Sequence, residues 1–215
     1  MISTVFLDLD GTLTDSRRGI RTGASYALRA FGIEVPPCRV TTEFIGPPLY
    51  DSFRKYYGLS DADARRAVAL YRDYYGREGL FENEVYPGVP EMLATLRGAG
   101  LSLYLATGKP HPYATRIVAH FGLDSYLDGV FGAEFDGTRG DKAELLTYAT
   151  QRLFVSPDAC VMLGDRRFDI EGALATQVTP VGALWGYGSN EELTAAGADL
   201  LAKTPSEAAE RILSL

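Results

Sequence analysis

Short apolar runs alternate along most of the chain with segments of helical period. Each run ends in a polar or glycine-containing turn; the runs are Thr4–Leu9, Leu101–Ala106, Cys160–Leu163 and Val181–Leu184. Apolar residues recur at helical spacing in the segments Val89–Gly98, Pro112–Phe121, Lys142–Leu153 and Ile170–Ala175. This alternation predicts an α/β fold with a doubly wound parallel sheet. In such folds ligands bind beyond the carboxyl ends of the strands.

Residues 16–84 break the alternation and contain no convincing strand. Their pattern predicts three consecutive helices, with spans Gly19–Phe31, Pro48–Tyr57 and Asp61–Gly76. The turn sequence YPGV at Tyr86–Val89 marks the return to the sheet. We therefore expect a core domain of residues 1–15 and 85–215 and an inserted all-helical cap domain of residues 16–84.

Two acidic residues, Asp8 and Asp10, end the first apolar run and are separated only by Leu9. Side chains of residues i and i+2 point to the same side of a strand, so the carboxylates of Asp8 and Asp10 are expected on one side of the chain. Two such charges ~4 Å apart repel by about 4 kcal/mol at an effective dielectric near 20. A simple turn is the alternative, because Asp and Gly are common turn formers. A functional pair requires a compensating cation.

Two more acids, Asp165 and Asp169, follow the apolar run Cys160–Leu163 in the sequence VMLGDRRFDI. Asp169 also fits an ordinary acid in the first turn of a helix. If both acids face the edge that Asp8 and Asp10 face, four carboxylates meet there. Oxygen ligands of this kind suit Mg²⁺, which we predict as the cofactor.

The sequence LATGKP places Thr107 and Gly108 where backbone N–H groups can surround an anion. An ordinary helix cap is the alternative for Thr107. A nucleotide-binding P-loop would need glycine five positions before Gly108, where the chain has Leu103. Lys142 begins another predicted helix; lysines are usually solvated, but a cation there opposes the helix dipole, which favours a separate purpose.

The segments DLDGTLTD, ATGK, Lys142 and GDRRFD, in this order and spacing, resemble the motifs of the haloacid dehalogenase superfamily. The resemblance covers essentially the whole chain. It is closest to phosphatases that carry a helical cap after the first motif, in the phosphoglycolate phosphatase-like and 5′-nucleotidase-like branch. The stretches FIGPPLYDSF, ATGKP, DGTRGDKAE and GDRRFDI look most like the nucleotidase-like group.

The resemblance implies catalytic roles for four residues. Asp8 would be the nucleophile that takes the phosphoryl group, and Asp10 the acid that protonates the leaving oxygen and then activates water. Thr107 and Lys142 would hold the phosphoryl oxygens. The predicted phosphate-binding residues are Gly11, Thr107, Gly108 and Lys142.

The resemblance also implies a metal site. Mg²⁺ would be held by Asp8, by the backbone carbonyl of Asp10 and by Asp165, with Asp169 nearby as a further ligand or as a neighbour of the ligands. Many relatives carry a small hydroxyl residue where this chain has Arg166. We expect Arg166 and Arg167 to face solvent, since arginines are mostly exposed; the alternative is that Arg166 orders the acidic loop.

These inferences predict a Mg²⁺-dependent phosphomonoester hydrolase that works through an aspartyl phosphate. Its substrate would be a small phosphorylated metabolite, either phosphoglycolate-like or a nucleoside monophosphate. The alternatives are a phosphomutase of the same superfamily and a phosphoacceptor signalling domain of the receiver type, which would be shorter and lack a lid. Asp10 disfavours a dehalogenase, because its role requires a leaving oxygen.

The cap residues would select the leaving group, and the candidates are Arg18, Gly46 and Arg54. An arginine suits a carboxylate such as that of phosphoglycolate, whereas an aromatic residue such as Tyr50 suits a nucleobase. Because the cap offers both residue types, the sequence leaves this choice open. Most arginines and tyrosines on helices are simply surface or packing residues.

Composition narrows the partners. A formal net charge of -7 argues against nucleic acid, which is bound by basic surfaces. No apolar run reaches the ~18 residues of a membrane span, and there is no signal pattern, so we expect a cytoplasmic protein without a membrane partner. Cys38 and Cys160 lie far apart and do not cluster with His111 or His120, which makes zinc unlikely. We expect a monomer or homodimer.

Overall fold

The computed structural model describes residues 1–40, 44–45 and 47–215. The chain divides into two compact units. The sheet unit consists of Met1–Thr14 and Val85–Leu215, and the helical unit of Asp15–Glu84. The chain passes from one unit to the other within two short strands, β2 (Thr14–Asp15) and β3 (Glu84–Val85), which pair with each other. The cap function predicted for residues 16–84 stays a prediction.

Six strands form the central sheet. They are β1 (Thr4–Leu7), β4 (Ser102–Pro110), β5 (Gly129–Ala133), β6 (Cys160–Gly164), β7 (Thr179–Ala183) and β8 (Leu201–Ala202). Their order is β5-β4-β1-β6-β7-β8, and all neighbouring pairs are parallel. The predicted fold class, a doubly wound parallel sheet, is confirmed.

The strand order creates a switch point at β1. From β1 the chain builds outward through β4 and β5, and then returns to place β6 on the other side of β1. Leu7 at the end of β1 is level with Leu105 of β4 and Leu163 of β6. The residues that follow these three positions therefore meet at one edge of the sheet, which is where ligands of open α/β sheets bind.

Six α-helices of the sheet unit connect or follow these strands. They are α4 (Val89–Gly98), α5 (His111–His120), α6 (Lys142–Leu153), α7 (Arg167–Ala175), α8 (Asn190–Ala195) and α9 (Pro205–Leu213). The predicted bounds of α4 and α6 are confirmed. The second predicted run, in contrast, continues as strand through Pro110, with an irregular register after Thr107, before α5 begins.

Alternate strand residues form the core beneath α6 and α7. Phe6 of β1, Ala106 of β4 and Met162 of β6 are fully buried and pack against residues of these helices, among them Leu145 and Ala173. Burying one leucine or phenylalanine side chain stabilises a fold by about 1.5–3 kcal/mol. This layer therefore fixes α6 and α7 against the middle of the sheet.

Helices α6 and α7 lie close together at Gly172. A Cβ atom at this position would lie 2.7 Å from Cβ of Lys142, at the first residue of α6. Only a residue without a side chain permits this approach. The glycine therefore allows the start of α6 to lie directly against α7.

The helical unit contains α1 (Arg17–Arg29), α2 (Leu49–Tyr57) and α3 (Asp61–Tyr74), which continues into a π-helical turn over Tyr75–Gly79. Helix α1 packs on α3 and on this turn. Tyr71 and Tyr75 are buried, and their rings stack with centroids 5.2 Å apart. The three helices predicted here are present, although α1 begins and ends two residues earlier than predicted.

We predict that Gly172→Ala lowers the free energy of unfolding by about 1–3 kcal/mol, because the added methyl group overpacks the contact with Lys142. Gly98→Ala is the matched control: Gly98 is exposed on α4, and a Cβ atom added there would have no neighbouring atom within 4 Å. At this position the substitution gains helix propensity and raises stability by up to about 1 kcal/mol. Denaturant unfolding of both variants measures the difference, and equal effects would contradict the packing argument.

Candidate active site

Asp8 is the first residue after β1 and lies at the switch point. Its amide donates a hydrogen bond to the carbonyl of Leu163 on β6, 2.9 Å away, which continues the β1–β6 pairing by one residue. The carboxylate is buried, and its Oδ1 accepts from Nζ of Lys142 at 2.9 Å. The predicted nucleophile is thus held by a backbone bond and by a buried cation.

Lys142 is the centre of the site. Its ammonium lies 2.9 Å from Oδ1 of Asp8 and 2.7 Å from Oδ1 of Asp169, and it donates to the carbonyl of Ala106 at 2.7 Å. Burial acts to lower the pKa of Lys142, but the two carboxylates outweigh it and raise this pKa above its usual value. The side chain therefore stays a cation.

Asp169 lies in the first turn of α7 and is 3% exposed. Besides its ion pair with Lys142, its Oδ2 accepts from the amide of Arg166 at 3.1 Å. A Cβ atom on Gly164 would overlap the Asp169 side chain, so the glycine at the end of β6 allows the carboxylate to cross the strand end. The sequence allowed Asp169 to be an ordinary acid in the first turn of a helix. Its carboxylate does accept from a backbone amide there, and it also pairs with Lys142.

Asp165 is fully buried in the turn between β6 and α7. Its Oδ1 accepts from the hydroxyl of Thr12 at 3.1 Å, and its Oδ2 from the amide of Tyr187 at 2.7 Å. Gly11 and Gly186 lie so close to this carboxylate that a Cβ atom on either one would overlap it. The first motif and the loop after β7 therefore enclose the Asp165 side chain.

Carboxylates of Asp8, Asp165 and Asp169 form one cluster whose ligand oxygens all lie within 4.8 Å of one another. Burial raises the pKa of Asp8 to about 6, with the charge of Asp169 adding to the effect and Lys142 opposing it. Burial and the charges of Asp169 and Asp8 also hold the pKa of Asp165 well above its usual value. Ionising all three residues beside one lysine leaves two uncompensated negative charges.

This donor set fits a divalent hard cation. All three groups offer oxygen, which is what Mg²⁺ prefers, and the excess of two negative charges matches its charge. A cation next to buried carboxylates favours their ionised forms, which reverses the upward pKa shifts. Asp10 was also predicted as a ligand, through its backbone carbonyl; its side chain lies outside the three-carboxylate cluster.

The Asp10 side chain has a different partner. Nζ of Lys109, a buried residue near the end of β4, forms an ion pair with its Oδ2. The other oxygen, Oδ1, is buried and has no hydrogen-bond partner within the part of the chain that the structure describes. Asp8 and Asp10 therefore point to the same region but pair with separate lysines, which offsets the repulsion expected from the sequence.

The predicted phosphate-binding residues lie around the same edge. Thr107 is buried on β4, and its hydroxyl accepts from the amide of Lys109 at 3.3 Å. Gly108 is exposed one residue further on. Gly11 adopts a left-handed φ of 91°, and its amide donates to the carbonyl of Thr14 at 2.8 Å within the turn. The phosphate-binding roles of these residues stay predictions.

Two of the three predicted cap residues lie on different helices. Arg18 is exposed in the first turn of α1. Arg54 on α2 is exposed, pairs with Asp61 at 2.9 Å and lies over the ring of Tyr50. Gly46 lies outside the described residues. The roles of all three in substrate selection stay predictions.

The expectation that Arg166 and Arg167 form a solvent-facing pair is wrong for Arg166. Its side chain is only 23% exposed, and its Nε donates to Glu192 at 2.8 Å. The same Glu192 oxygen accepts from the amide of Arg167 at 3.0 Å. The physical reason is that α8 begins next to the acidic loop and supplies a carboxylate, so the arginine orders the loop that carries Asp165.

Sequence reasoning missed three contributors to the site: Lys109, Thr12 and the loop Gly186–Tyr187. Lys109 follows Thr107 by two positions on β4, so the alternation of a strand offered a signal for it. Thr12 lies in the turn after β1, where no such alternation applies. The loop after β7 carried a Gly-Tyr-Gly sequence, which predicts a turn but not the carboxylate that it encloses.

Comparisons with known proteins identify the family of the chain. The sequence model described as "haloacid dehalogenase-like hydrolase" matches residues 2–175. The chain belongs to this family, and it is an enzyme, a phosphatase that acts on small phosphorylated substrates.

Individual relatives are as follows. The chain is 41% identical over 191 residues to a 5′-nucleotidase of Pseudomonas aeruginosa. The aligned region covers 89% of this chain and 86% of that protein. It is 41% identical over 184 residues to the tyrosine-protein kinase PtkA of Mycobacterium tuberculosis, covering 86% of this chain but 62% of that protein. A crystal structure of a predicted phosphatase from Clostridium acetobutylicum superposes with a TM-score of 0.93 and 38% identity over 100% of both chains.

The structure contributes one observation on membranes. Among the helices of residues 1–40, 44–45 and 47–215, none has both the length and the apolar character that crossing a bilayer requires.

We predict that the melting temperature of the protein is higher with Mg²⁺ than with a chelator. Binding to the folded state alone contributes about 2.7 kcal/mol when the ion is at 100 times its dissociation constant. For a chain of this size each kcal/mol raises the melting temperature by about 2–4 °C.

Asp165→Asn should remove most of this increase, because it removes a ligand charge while the amide oxygen still accepts from Thr12 or Tyr187. In chelator the variant should be at least as stable as the wild type, since it removes a buried acid with a raised pKa. Asp158→Asn, at an exposed site, is the control and should keep the full increase. A wild-type melting temperature that does not change when Mg²⁺ is added would contradict the metal assignment.

Proposed function

We propose that this chain is a Mg²⁺-dependent phosphomonoester hydrolase that works through an aspartyl phosphate on Asp8. The observation that carries the proposal is the buried cluster at the switch point, in which one lysine contacts both Asp8 and Asp169 and Asp165 completes a set of three carboxylates. Phosphoryl transfer depends mainly on alignment and charge neutralisation, and this cluster supplies both.

In the first half-reaction a carboxylate oxygen of Asp8 attacks phosphorus, and the bond from phosphorus to the leaving oxygen breaks. Asp10 gives its proton to that oxygen, and the alcohol departs. Lys142, held against Asp8, neutralises negative charge beside the attacked phosphoryl group. Bound Mg²⁺ supplies charge neutralisation at the phosphoryl oxygens; Asp8, Asp165 and Asp169 are the side chains that would hold it.

In the second half-reaction Asp10, now a carboxylate, takes a proton from water. The water oxygen attacks phosphorus, the bond from phosphorus to the Asp8 oxygen breaks, and inorganic phosphate leaves. Lys109 supports this role because its ammonium holds the Asp10 carboxylate by one oxygen and leaves the other without a protein partner among the described residues. That second oxygen is the one we assign to the proton transfers.

The helical unit, in this proposal, acts as the cap that selects the leaving group, with Arg18, Gly46 and Arg54 as the candidates from the sequence. The 5′-nucleotidase relative supports a nucleoside monophosphate among the small phosphate esters. The similarity to a protein named as a kinase supports including ATP in any substrate panel.

We expect Asp8→Asn to lower kcat by at least about 10³-fold on every ester that the wild type hydrolyses, because the amide cannot form the covalent intermediate. The measurement is release of inorganic phosphate from nucleoside monophosphates, phosphoglycolate, sugar phosphates and ATP, with Mg²⁺ and with chelator. Asp158→Asn is the matched control and should keep wild-type activity.

Three results would contradict this proposal. Substantial turnover by Asp8→Asn would remove the nucleophile, and activity unchanged in chelator would remove the metal. Conversion of a sugar phosphate into an isomeric phosphate, without release of inorganic phosphate, would instead identify a phosphomutase.

We expect Asp10→Asn to accumulate phosphoenzyme when the ester has a phenolate leaving group. Such a leaving group departs without a proton, so Asp8 is still phosphorylated, whereas hydrolysis of the aspartyl phosphate loses its base. Intact-protein mass spectrometry after an acid quench detects the added phosphoryl group. The double variant with Asp8→Asn is the control and should show none. A label that persists in the double variant would place the phosphoryl group on another residue.

A further inference from the structure

The connection between β7 and α8 is short and is fixed at both ends. It runs from Leu184 to Ser189 and contains the sequence Trp-Gly-Tyr-Gly. The amide of Leu184 donates to the carbonyl of Ala202 on β8 at 2.8 Å. At the other end the hydroxyl of Ser189 accepts from the amide of Glu192, 3.1 Å away in α8. The four residues between these two anchors therefore follow a defined path.

The register of the sheet brings this connection beside Asp165. Gly164 at the end of β6 is level with Gly182 of β7, so the residues that follow the two strands leave the sheet at the same edge. Asp165 comes directly after Gly164. A Cβ atom on Gly188 would overlap the backbone carbonyl of Asp165. The connection therefore lies against the turn that carries this acid.

Trp185 links the connection to the first motif. Its indole Nε1 donates a hydrogen bond to the backbone carbonyl of Thr12 at 2.9 Å. The hydroxyl of the same Thr12 donates to Oδ1 of Asp165 at 3.1 Å. Thr12 is fully buried, and Trp185 is partly buried. The indole thus holds the residue that holds one oxygen of a candidate metal ligand.

The second oxygen of Asp165 is held by the same connection. The amide of Tyr187 donates to Oδ2 at 2.7 Å, so each carboxylate oxygen accepts from one protein donor. An ionised carboxylate has about four acceptor positions, and two donors therefore leave room for a cation. Donors on both oxygens fix the rotation of the carboxylate before an ion binds. Less ordering is then needed when it does.

The turn that contains Thr12 depends on the distant indole for one of its hydrogen bonds. Three successive amides of this turn, those of Thr12, Leu13 and Thr14, all donate to the carbonyl of Leu9. The carbonyl of Thr12 accepts instead from Trp185. A buried carbonyl that loses its donor is destabilised, so removal of the indole N–H favours a displacement of Thr12. Such a displacement takes the hydroxyl donor away from Asp165.

We propose that Trp185 is a positioning residue for the divalent-cation site. Its indole N–H fixes Thr12, and Thr12 together with the amide of Tyr187 fixes the orientation of Asp165. The residue acts through Thr12 and not by contact with the ion. This inference rests on the Mg²⁺ site of the proposed function, in which Asp165 is one of the three carboxylates that would hold the ion.

Trp185→Phe keeps an aromatic ring and removes the indole donor. In isothermal titration calorimetry of the full chain, it should raise the dissociation constant of Mg²⁺ about threefold to tenfold, the range that one hydrogen bond contributes. At saturating Mg²⁺, kcat should match the wild type, because the bound ion then orients Asp165. Tyr126→Phe, between α5 and β5, also removes one polar group from an aromatic residue. It is the control and should keep the wild-type constant.

A double-mutant cycle distinguishes positioning from a merely structural role. Thr12→Val should raise the dissociation constant because it removes the hydroxyl donor, whereas Thr12→Ser keeps the donor and should retain wild-type affinity. Adding Trp185→Phe to Thr12→Val should weaken binding no further, since the indole acts through that hydroxyl. Effects of the two substitutions that add in full would overturn the proposal.

The wild-type protein offers a second measurement that does not depend on the folding of a variant. Trp185 is the only tryptophan of the chain, so nuclear magnetic resonance shows a single indole N–H signal. If the indole bond strengthens Mg²⁺ binding, Mg²⁺ must strengthen the indole bond by the same factor. Saturating Mg²⁺ should therefore slow exchange of this N–H with solvent about threefold to tenfold. An exchange rate that Mg²⁺ leaves unchanged would overturn the proposal.

The outcomes separate this inference from the proposed function. If the wild type binds Mg²⁺ and hydrolyses phosphate esters while Trp185→Phe keeps the wild-type dissociation constant, the inference fails and the proposed function stands. If Mg²⁺ binding depends on Trp185 but no phosphate ester is hydrolysed, the inference holds and the proposed function fails. A wild type that binds no Mg²⁺ in calorimetry would overturn both the metal site and the role of Trp185.

Discussion

The ammonium of Lys142 is the interaction on which the site depends. Lys142 is the first residue of α6, and its ammonium contacts three acceptors. These are the carboxylate of Asp8 after β1, the carbonyl of Ala106 on β4 and the carboxylate of Asp169 on α7. A buried cation must be paired, and buried carboxylates must be paired, so each group makes the position of the others possible. The sheet order β4-β1-β6 brings these elements together, and Gly172 lets α6 and α7 approach closely enough to complete the contact.

Burial has a chemical consequence beyond packing. The turns around Asp165 exclude water, and Gly11 and Gly186 leave no room for side chains beside it. With three carboxylates and one lysine, the protein alone does not balance the charge, and the pKa values of Asp8 and Asp165 rise in response. The same imbalance that disfavours the ionised site by itself matches the charge of a divalent cation and of the phosphoryl group it would help to bind.

The two aspartates of the first motif have different environments although only one residue separates them. Asp8 is paired with Lys142 and belongs to the three-carboxylate cluster, whereas Asp10 is paired with Lys109 and lies outside it. Two acids with separate partners can take separate roles, here those of a nucleophile and of a general acid and base. Glu192 acts on the same site from further away, since it binds Arg166 and the amide of Arg167 and thereby orders the loop between β6 and α7.

The sequence by itself determined the α/β class, the helices α4 and α6, and the edge at which Asp8, Asp165 and Asp169 meet, whereas a role for Lys142 was implied only by the family resemblance. These features follow from local periodicity and from the rule that parallel strands end at a common edge. Only the tertiary structure decided that Lys109 pairs with Asp10 and that Arg166 pairs with Glu192. Each of these depends on residues distant in the chain whose side chains meet only after packing, and no local pattern encodes such a meeting. Strand β8 escaped prediction for the same reason, because a segment of two residues becomes a strand through pairing with a neighbour, not through its own periodicity. Strand β5 is as long as β6, but glycine occupies two of its five positions and leaves no apolar run to detect.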